Sequence, residues 1–217
     1  MPRTGRPRQF DRDDALDAAM QLFWRQGYES TSLDQLKQAM GGLSAASFYG
    51  AFGSKESLYR ETLARYLGTH GQVVAALHDR TLAPRDALEQ ALRRSARMQT
   101  DVQLPTGCMV VLSTANASPE NTHLQALVAA ERGRTREAIR HCIERAVASG
   151  DLRPGADAEG LATLADALLV GMSVQARDGV SHAAIEAAVS NLLQLWDMNR
   201  AKTCEPLAAR ASVKPVR

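Results

Sequence analysis

Residues 28–63 read YESTSLDQLKQAMGGLSAASFYGAFGSKESLYRETL. Leu33, Leu36 and Met40 recur at helical spacing, Gly41-Gly42 interrupts them, and Phe48 and Phe52 resume the period after Ser44. Ser54-Lys55-Glu56 then opens a further helix carrying Leu58, Tyr59, Leu63, Tyr66 and Leu67 toward about residue 80. Apolar residues three and four apart bury one face of a helix, and a glycine pair ends it. Two short helices joined by a glycine turn form a helix-turn-helix, whose second helix enters the DNA major groove.

Upstream, Asp11 can cap a first helix, with Leu16, Ala19, Met20 and Phe23 on one face and Gly27 as its stop. Thr31 with Asp34 resembles a capping box for the second helix. Downstream, Ala83-Pro84 opens a helix with Pro in its first turn. Leu104-Pro105-Thr106-Gly107 is a break, followed by a short apolar run from Cys108 to Leu112. Ser118-Pro119-Glu120 starts a long helix that stops at Gly150, Asp157 caps the next, and Ser181 caps the last. Periodicity ends after Asn199, so 200–217 is expected to be a mobile tail.

The 217 residues are 45% hydrophobic but only 5% aromatic, with Leu and Ala supplying the apolar mass, which favours packed helices over sheets. The expected class is all-α: a three-helix DNA-binding module over 1–55, with a recognition helix at about 44–50, and a helical domain over 56–199, about nine helices in all. A net charge of +2 is too small to identify a nucleic-acid partner by itself. Its placement says more, since Arg3, Arg6 and Arg8 precede any acid. No uncharged run is long enough for a membrane span, and no apolar run follows the first charges as a signal peptide would require. Cys108, Cys142 and Cys204 are odd in number and lack metal-ligand spacing, so reduced thiols in a cytoplasm are expected, with no metal and no cofactor. His70, His78, His123, His141 and His182 are scattered, and no paired carboxylates or glycine-rich phosphate loop suggest an enzyme.

From Leu161 to Ala176 only Asp166 is charged. A helix apolar nearly all round needs cover on several sides. A twofold homodimer is expected to provide it through Leu161, Leu164, Leu168, Ile185, Val189, Leu192 and Trp196.

The first sixty residues resemble the DNA-binding module of the TetR family of bacterial transcriptional repressors. The matching pieces are Ala18-Ala19 with Leu22-Phe23, Gly27-Tyr28, Thr31-Ser32-Leu33, Gly42-Leu43-Ser44, Ser47-Phe48-Tyr49, Phe52, and Ser54-Lys55 with Leu58. The sequence departs from the family pattern in a turn one residue longer between Leu36 and Gly42, in Ala46 where Gly is common, and in Ala51 where His or Tyr is common. The resemblance implies a palindromic double-stranded operator, a homodimer, and release from DNA by an unidentified small molecule.

On the recognition helix Ser44, Ala45, Ala46, Ser47, Tyr49 and Gly50 offer hydroxyls and methyls but no bidentate base contact, so backbone contacts and DNA shape should carry much of the selectivity. Thr31 and Ser32 are expected at phosphate, Lys55 likewise by resemblance, and Arg6 and Arg8 along a minor groove. Tyr66, Met98, Cys108, Met109, Ser113, Asn116, His123, Met172 and Gln175 are the polar or soft candidates for the effector pocket. Two alternatives stand beside this reading: an electrophile or redox sensor acting through Cys108, and a helical interaction protein that does not read DNA.

Overall fold

The computed structural model describes residues 10–115 and 117–201. Among them are nine α-helices and no strand: α1 Arg12–Gln26, α2 Leu33–Ala39, α3 Ala45–Phe52, α4 Lys55–Gly68, α5 Pro84–Gln99, α6 Met109–Leu112, α7 Thr122–Ala148, α8 Ala158–Arg177 and α9 His182–Met198. The expected tail, with Arg6, Arg8, Asn116 and Cys204, lies outside the described residues, save for Arg200 and Ala201.

Helix ends follow the local chemistry. Asp11, Ser44, Ser54, Asp157 and Ser181 each accept a backbone N–H of the first turn, satisfying donors that a helix start leaves orphaned. The second helix corrects the sequence reading. Its cap is Ser32, whose Oγ accepts from the Gln35 N–H at 3.1 Å while Gln35 Oε1 accepts from the Ser32 N–H at 2.8 Å. Thr31 is instead buried and donates to the Gly27 carbonyl at 2.6 Å. The fourth helix is shorter than expected. It ends at Gly68, and a 3-10 segment, His70–His78, takes over.

Two hydrophobic cores divide the molecule. The first joins α1–α4 through Phe23, Trp24, Leu36, Phe48, Leu58 and Tyr59, and extends to Met98, Met109, Leu124 and Val128. Its centre is aromatic: Phe23 meets Tyr59 edge-on at 5.3 Å, and Trp24 meets Tyr66 edge-on at 4.8 Å. Burying each such ring contributes about 1.5–3 kcal/mol. The second core lies among α5, α7, α8 and α9, around Leu88, Leu92, Ile139, Cys142, Ala165 and Trp196. The α5–α9 contact also carries a bidentate ion pair, Arg85 to Asp197 at 2.7 and 2.8 Å.

The second core corrects part of the expected dimer face. Ile185, Val189, Leu192 and Trp196 are buried in the chain's own core, because α9 has one apolar stripe and α5 and α8 already cover it. Leu164 is 44% exposed and Val174 50% exposed on α8, and Leu161 and Leu168 are half-buried. The outward apolar face therefore belongs mainly to α8.

Candidate DNA-binding surface and internal cavity

The turn between α2 and α3 is made by two consecutive left-handed residues, Gly41 at φ 91° and Gly42 at φ 74°. Only glycine adopts that conformation without a steric cost. The Gly42 and Leu43 N–H groups both donate to the Lys37 carbonyl at 3.0 Å, which closes the end of α2.

α3 is anchored inward by Phe48 and Phe52, both buried. Ser44, Ala45, Ala46, Ser47, Tyr49 and Gly50 are all exposed on its other side. Tyr49 is 52% exposed with its ring edge-on to Phe48 at 5.5 Å. The Ser44 hydroxyl caps the helix at the Ser47 N–H and lies 2.9 Å from the Ser47 hydroxyl. Ser32 is exposed at the start of α2, whereas the buried Thr31 hydroxyl is unavailable to phosphate. Lys55, expected at phosphate, holds its ammonium 4.3 Å from the Tyr28 ring centre. Partial burial there lowers its pKa, against the opposing effect of Glu29.

A cavity of about 310 Å³ lies between the cores. α4 contributes Tyr66, the 3-10 segment Val73 and Val74, α5 Ser95, Met98 and Gln99, and α8 Asp166, Leu169 and Val170. Cys108, Val110 and Val111 close the α6 side, and Arg132 and Thr135 the α7 side. Of the pocket residues expected from sequence, Tyr66, Met98 and Cys108 line it. The others do not. Met109 is buried in the first core and Met172 in the second. Ser113 is bonded to α4, His123 pairs with Glu56 at 3.1 Å on the surface, and Gln175 is exposed on α8. Ser95, Gln99 and Asp166 were not anticipated, although Asp166 is the sole charge in an apolar run.

The Tyr66 hydroxyl donates to Cys108 Sγ at 3.2 Å. Cys108 is also one of the residues that line the cavity. Burial pushes its pKa up, against the lowering influence of the Tyr66 hydroxyl, backbone N–H groups and Arg132. A thiol held in its neutral form is a poor nucleophile, which disfavours the electrophile-sensor alternative.

The α6 segment also grips the DNA-binding unit. Trp24 Nε1 donates to the Gly107 carbonyl at 2.9 Å, and the Tyr28 N–H donates to the Ser113 carbonyl at 2.7 Å. The Tyr59 and Ser113 hydroxyls lie 2.6 Å apart, and Arg177 of α8 donates to the Trp24 carbonyl at 3.1 Å.

Comparison with known proteins agrees with this arrangement. A family model described as bacterial regulatory proteins, tetR family, matches residues 15–62, and one described as tetracyclin repressor-like, C-terminal domain, matches residues 84–192. The chain is 32% identical over 197 residues to the HTH-type transcriptional repressor ComR of Escherichia coli K12, covering 88% of this chain and 91% of ComR. It is 41% identical to the TetR family regulator CifR, solved as a cysteine mutant with 26-bp double-strand operator DNA, at a TM-score of 0.81 over 88% of this chain and 100% of that one. A TetR regulator from Rhodococcus sp. RHA1 is 33% identical, with a TM-score of 0.57 over 85% of this chain and 99% of that one.

Proposed function

The chain belongs to the TetR family of dimeric, DNA-binding transcriptional regulators, and from that premise we propose that it is a repressor released from its operator when a small molecule fills the cavity between α4, α6 and α8. One observation carries the proposal. The short stretch from Gly107 to Ser113 is both a wall of the cavity and the clasp on the DNA-binding unit. A ligand that moves this wall moves the groups hydrogen-bonded to Trp24, Tyr28 and Tyr59.

In the DNA-bound dimer the exposed side of α3, with Ser44, Ala45, Ala46, Ser47, Tyr49 and Gly50, faces base edges and adjoining phosphates. Ser32 and Lys55 serve phosphate, Lys55 by leaving the Tyr28 ring. Serine hydroxyls pair with several base edges, so groove shape supplies much of the selectivity. Two recognition helices fit successive major grooves when about 34–36 Å apart. The effector favours a dimer in which this separation is wrong, and its strength as an inducer equals its differential affinity for the two states. The α8 face bearing Leu161, Leu164 and Leu168 meets its twofold mate. The reading requires no catalytic step, and it places the protein in the cytoplasm, where an operator is accessible.

A mobility shift on the DNA upstream of the protein's own coding sequence tests the proposal. The wild type is expected to retard that fragment, and Tyr49→Ala is expected to need about tenfold more protein, or above, to do so while leaving the folded dimer intact. Retardation equal for the two proteins, or none for either, counts against it.

A further inference from the structure

Asp166 is 8% exposed, yet it stands in the cavity wall within an otherwise uncharged stretch of α8. Its Oδ2 accepts from Arg136 Nε at 2.9 Å. Its Oδ1 is the one buried side-chain nitrogen or oxygen without a hydrogen-bond partner among the described residues. Buried polar groups are ordinarily paired, and an unpaired carboxylate oxygen destabilises the state that holds it.

The other buried polar side chains of the wall are already engaged. Ser95 Oγ accepts from Gln99 Nε2 at 2.7 Å, and Gln99 Oε1 accepts from Ser173 at 2.7 Å. The Tyr66 hydroxyl is given to Cys108, and Arg132 donates to the Val110 carbonyl at 2.7 Å. The one buried side-chain atom of the wall without a partner is therefore an acceptor. Around it, Val110, Val111, Leu169 and Val170 are apolar.

Charge narrows the ligand further. Arg136 offsets Asp166 and Arg134 offsets Glu131, which leaves Arg132 as the remaining charge on the wall. A cationic head would meet the uncompensated Arg132, and a carboxylate head would meet Oδ1 acceptor to acceptor.

We propose that the effector is a neutral molecule with an apolar body and one hydroxyl-type donor, and that this donor bonds to Oδ1 of Asp166. The inference rests on the reading of this cavity as the effector site. Oδ1 is closed to water as the wall stands, so the donor engages it through a small turn of the carboxyl group about Cβ–Cγ. Cavity occupancy thereby becomes coupled to the Arg136 contact between α7 and α8.

Four probes with one ring system separate the possibilities: 2-phenylethanol, propylbenzene, 2-phenylethylammonium and 3-phenylpropanoate, each titrated calorimetrically into the full-length dimer without DNA. The alcohol is expected to bind about tenfold more tightly than propylbenzene, its nearest isostere, and more tightly than either ion, since a hydrogen bond to a charged group is worth at least that factor. Asp166→Asn is expected to shrink the alcohol's advantage to about threefold or less. A crystal of the wild type soaked in 2-phenylethanol keeps the question open to decision if Asp166→Asn fails to fold, with the alcohol oxygen expected within hydrogen-bond reach of Oδ1. Equal affinity for alcohol and isostere, a preference for either ion, an advantage unchanged in Asp166→Asn, or no saturable binding of either neutral probe overturns the proposal. Operator release is measured separately by mobility shift. Binding with the expected preference but without release upholds the ligand chemistry and sinks the effector reading; release by alcohol and isostere alike does the reverse.

Discussion

The hydroxyls of Tyr59 and Ser113 lie 2.6 Å apart, joining α4 to the end of α6 across 54 positions of sequence. The carbonyl of the same Ser113 accepts the Tyr28 N–H. One serine therefore holds both the exit of α1 and the middle of α4, and it follows directly on a cavity wall. Motion of that wall has a short route to the DNA-binding unit.

That route can be cut. Tyr59→Phe and Ser113→Ala are each expected to lower stability by about 1–2 kcal/mol, and together by less than their sum, because they share one buried hydrogen bond. A double-mutant cycle in urea denaturation reads the coupling, expected near 1 kcal/mol. Strict additivity would remove the Tyr59–Ser113 contact from the mechanism.

Gly107 offers a sharper break. It sits at φ 81°, and a Cβ there would lie 2.4 Å from Leu112 Cδ1 and 2.7 Å from the Ser173 carbonyl oxygen. Its own carbonyl accepts from Trp24. Gly107→Ala combines backbone strain with a clash against main chain, so a loss of about 2–4 kcal/mol is expected. Equilibrium denaturation followed by Trp fluorescence measures it, and a loss below about 0.5 kcal/mol, the range of ordinary surface substitutions, would contradict the geometry.

On the DNA side, Tyr49 and Lys55 separate two kinds of contact. Tyr49→Ala is expected to weaken operator binding by about tenfold or more with little change in melting temperature, since the ring is half-exposed. Lys55→Ala should weaken specific and nonspecific DNA alike and reduce the salt dependence by about one counterion. Fluorescence anisotropy on labelled operator across a salt series distinguishes them. An unchanged slope for Lys55→Ala would leave its ammonium on the Tyr28 ring.

The buried tyrosine hydroxyl also gives a pH signature. Burial pushes the Tyr59 pKa up to about 12, with the Ser113 hydrogen bond opposing, while an unfolded tyrosine titrates near 10. The unfolded chain therefore releases this proton first. The contribution is intact below pH 10 and is lost as pH rises from about 10 to 12, amounting to about 2–3 kcal/mol at the upper end. Urea midpoints taken over that window should fall less steeply for Tyr59→Phe than for the wild type. Parallel profiles would show that Tyr59 is open to solvent.

The α8 face supplies a test of assembly. Leu164 is 44% exposed in the single chain, so Leu164→Glu is expected to cost the monomer under about 1 kcal/mol while weakening the dimer by more. Sedimentation at micromolar concentration should show monomer, and operator affinity should fall with it. A variant that remains dimeric would move the interface elsewhere.

Local chemistry determined much of this molecule. Asp11, Gly27, the Gly41-Gly42 turn, Ser44, Ser54, Pro84, Asp157 and Ser181 mark element ends in the sequence because capping and left-handed turns act over three or four residues. The surface of α3 was legible for the same reason, since Phe48 and Phe52 fix which side faces inward. Tertiary structure alone decided how competing local choices resolved. Thr31 and Ser32 are equally able caps by composition, and only the packing of Thr31 beneath Gly27 gives the role to Ser32. The apolar residues of α9 suit a partner chain or an internal core equally well, and their contact with α5 and α8 spends them internally. The cavity was the least legible part. Its walls come from α4 to α8 and from a 3-10 segment with no sequence signal of its own, and Asp166 gains its meaning from Arg136, thirty residues away. Periodicity reports which face of a helix is apolar; which neighbour meets that face, and which polar atom is left without one, is fixed only when every helix has been placed.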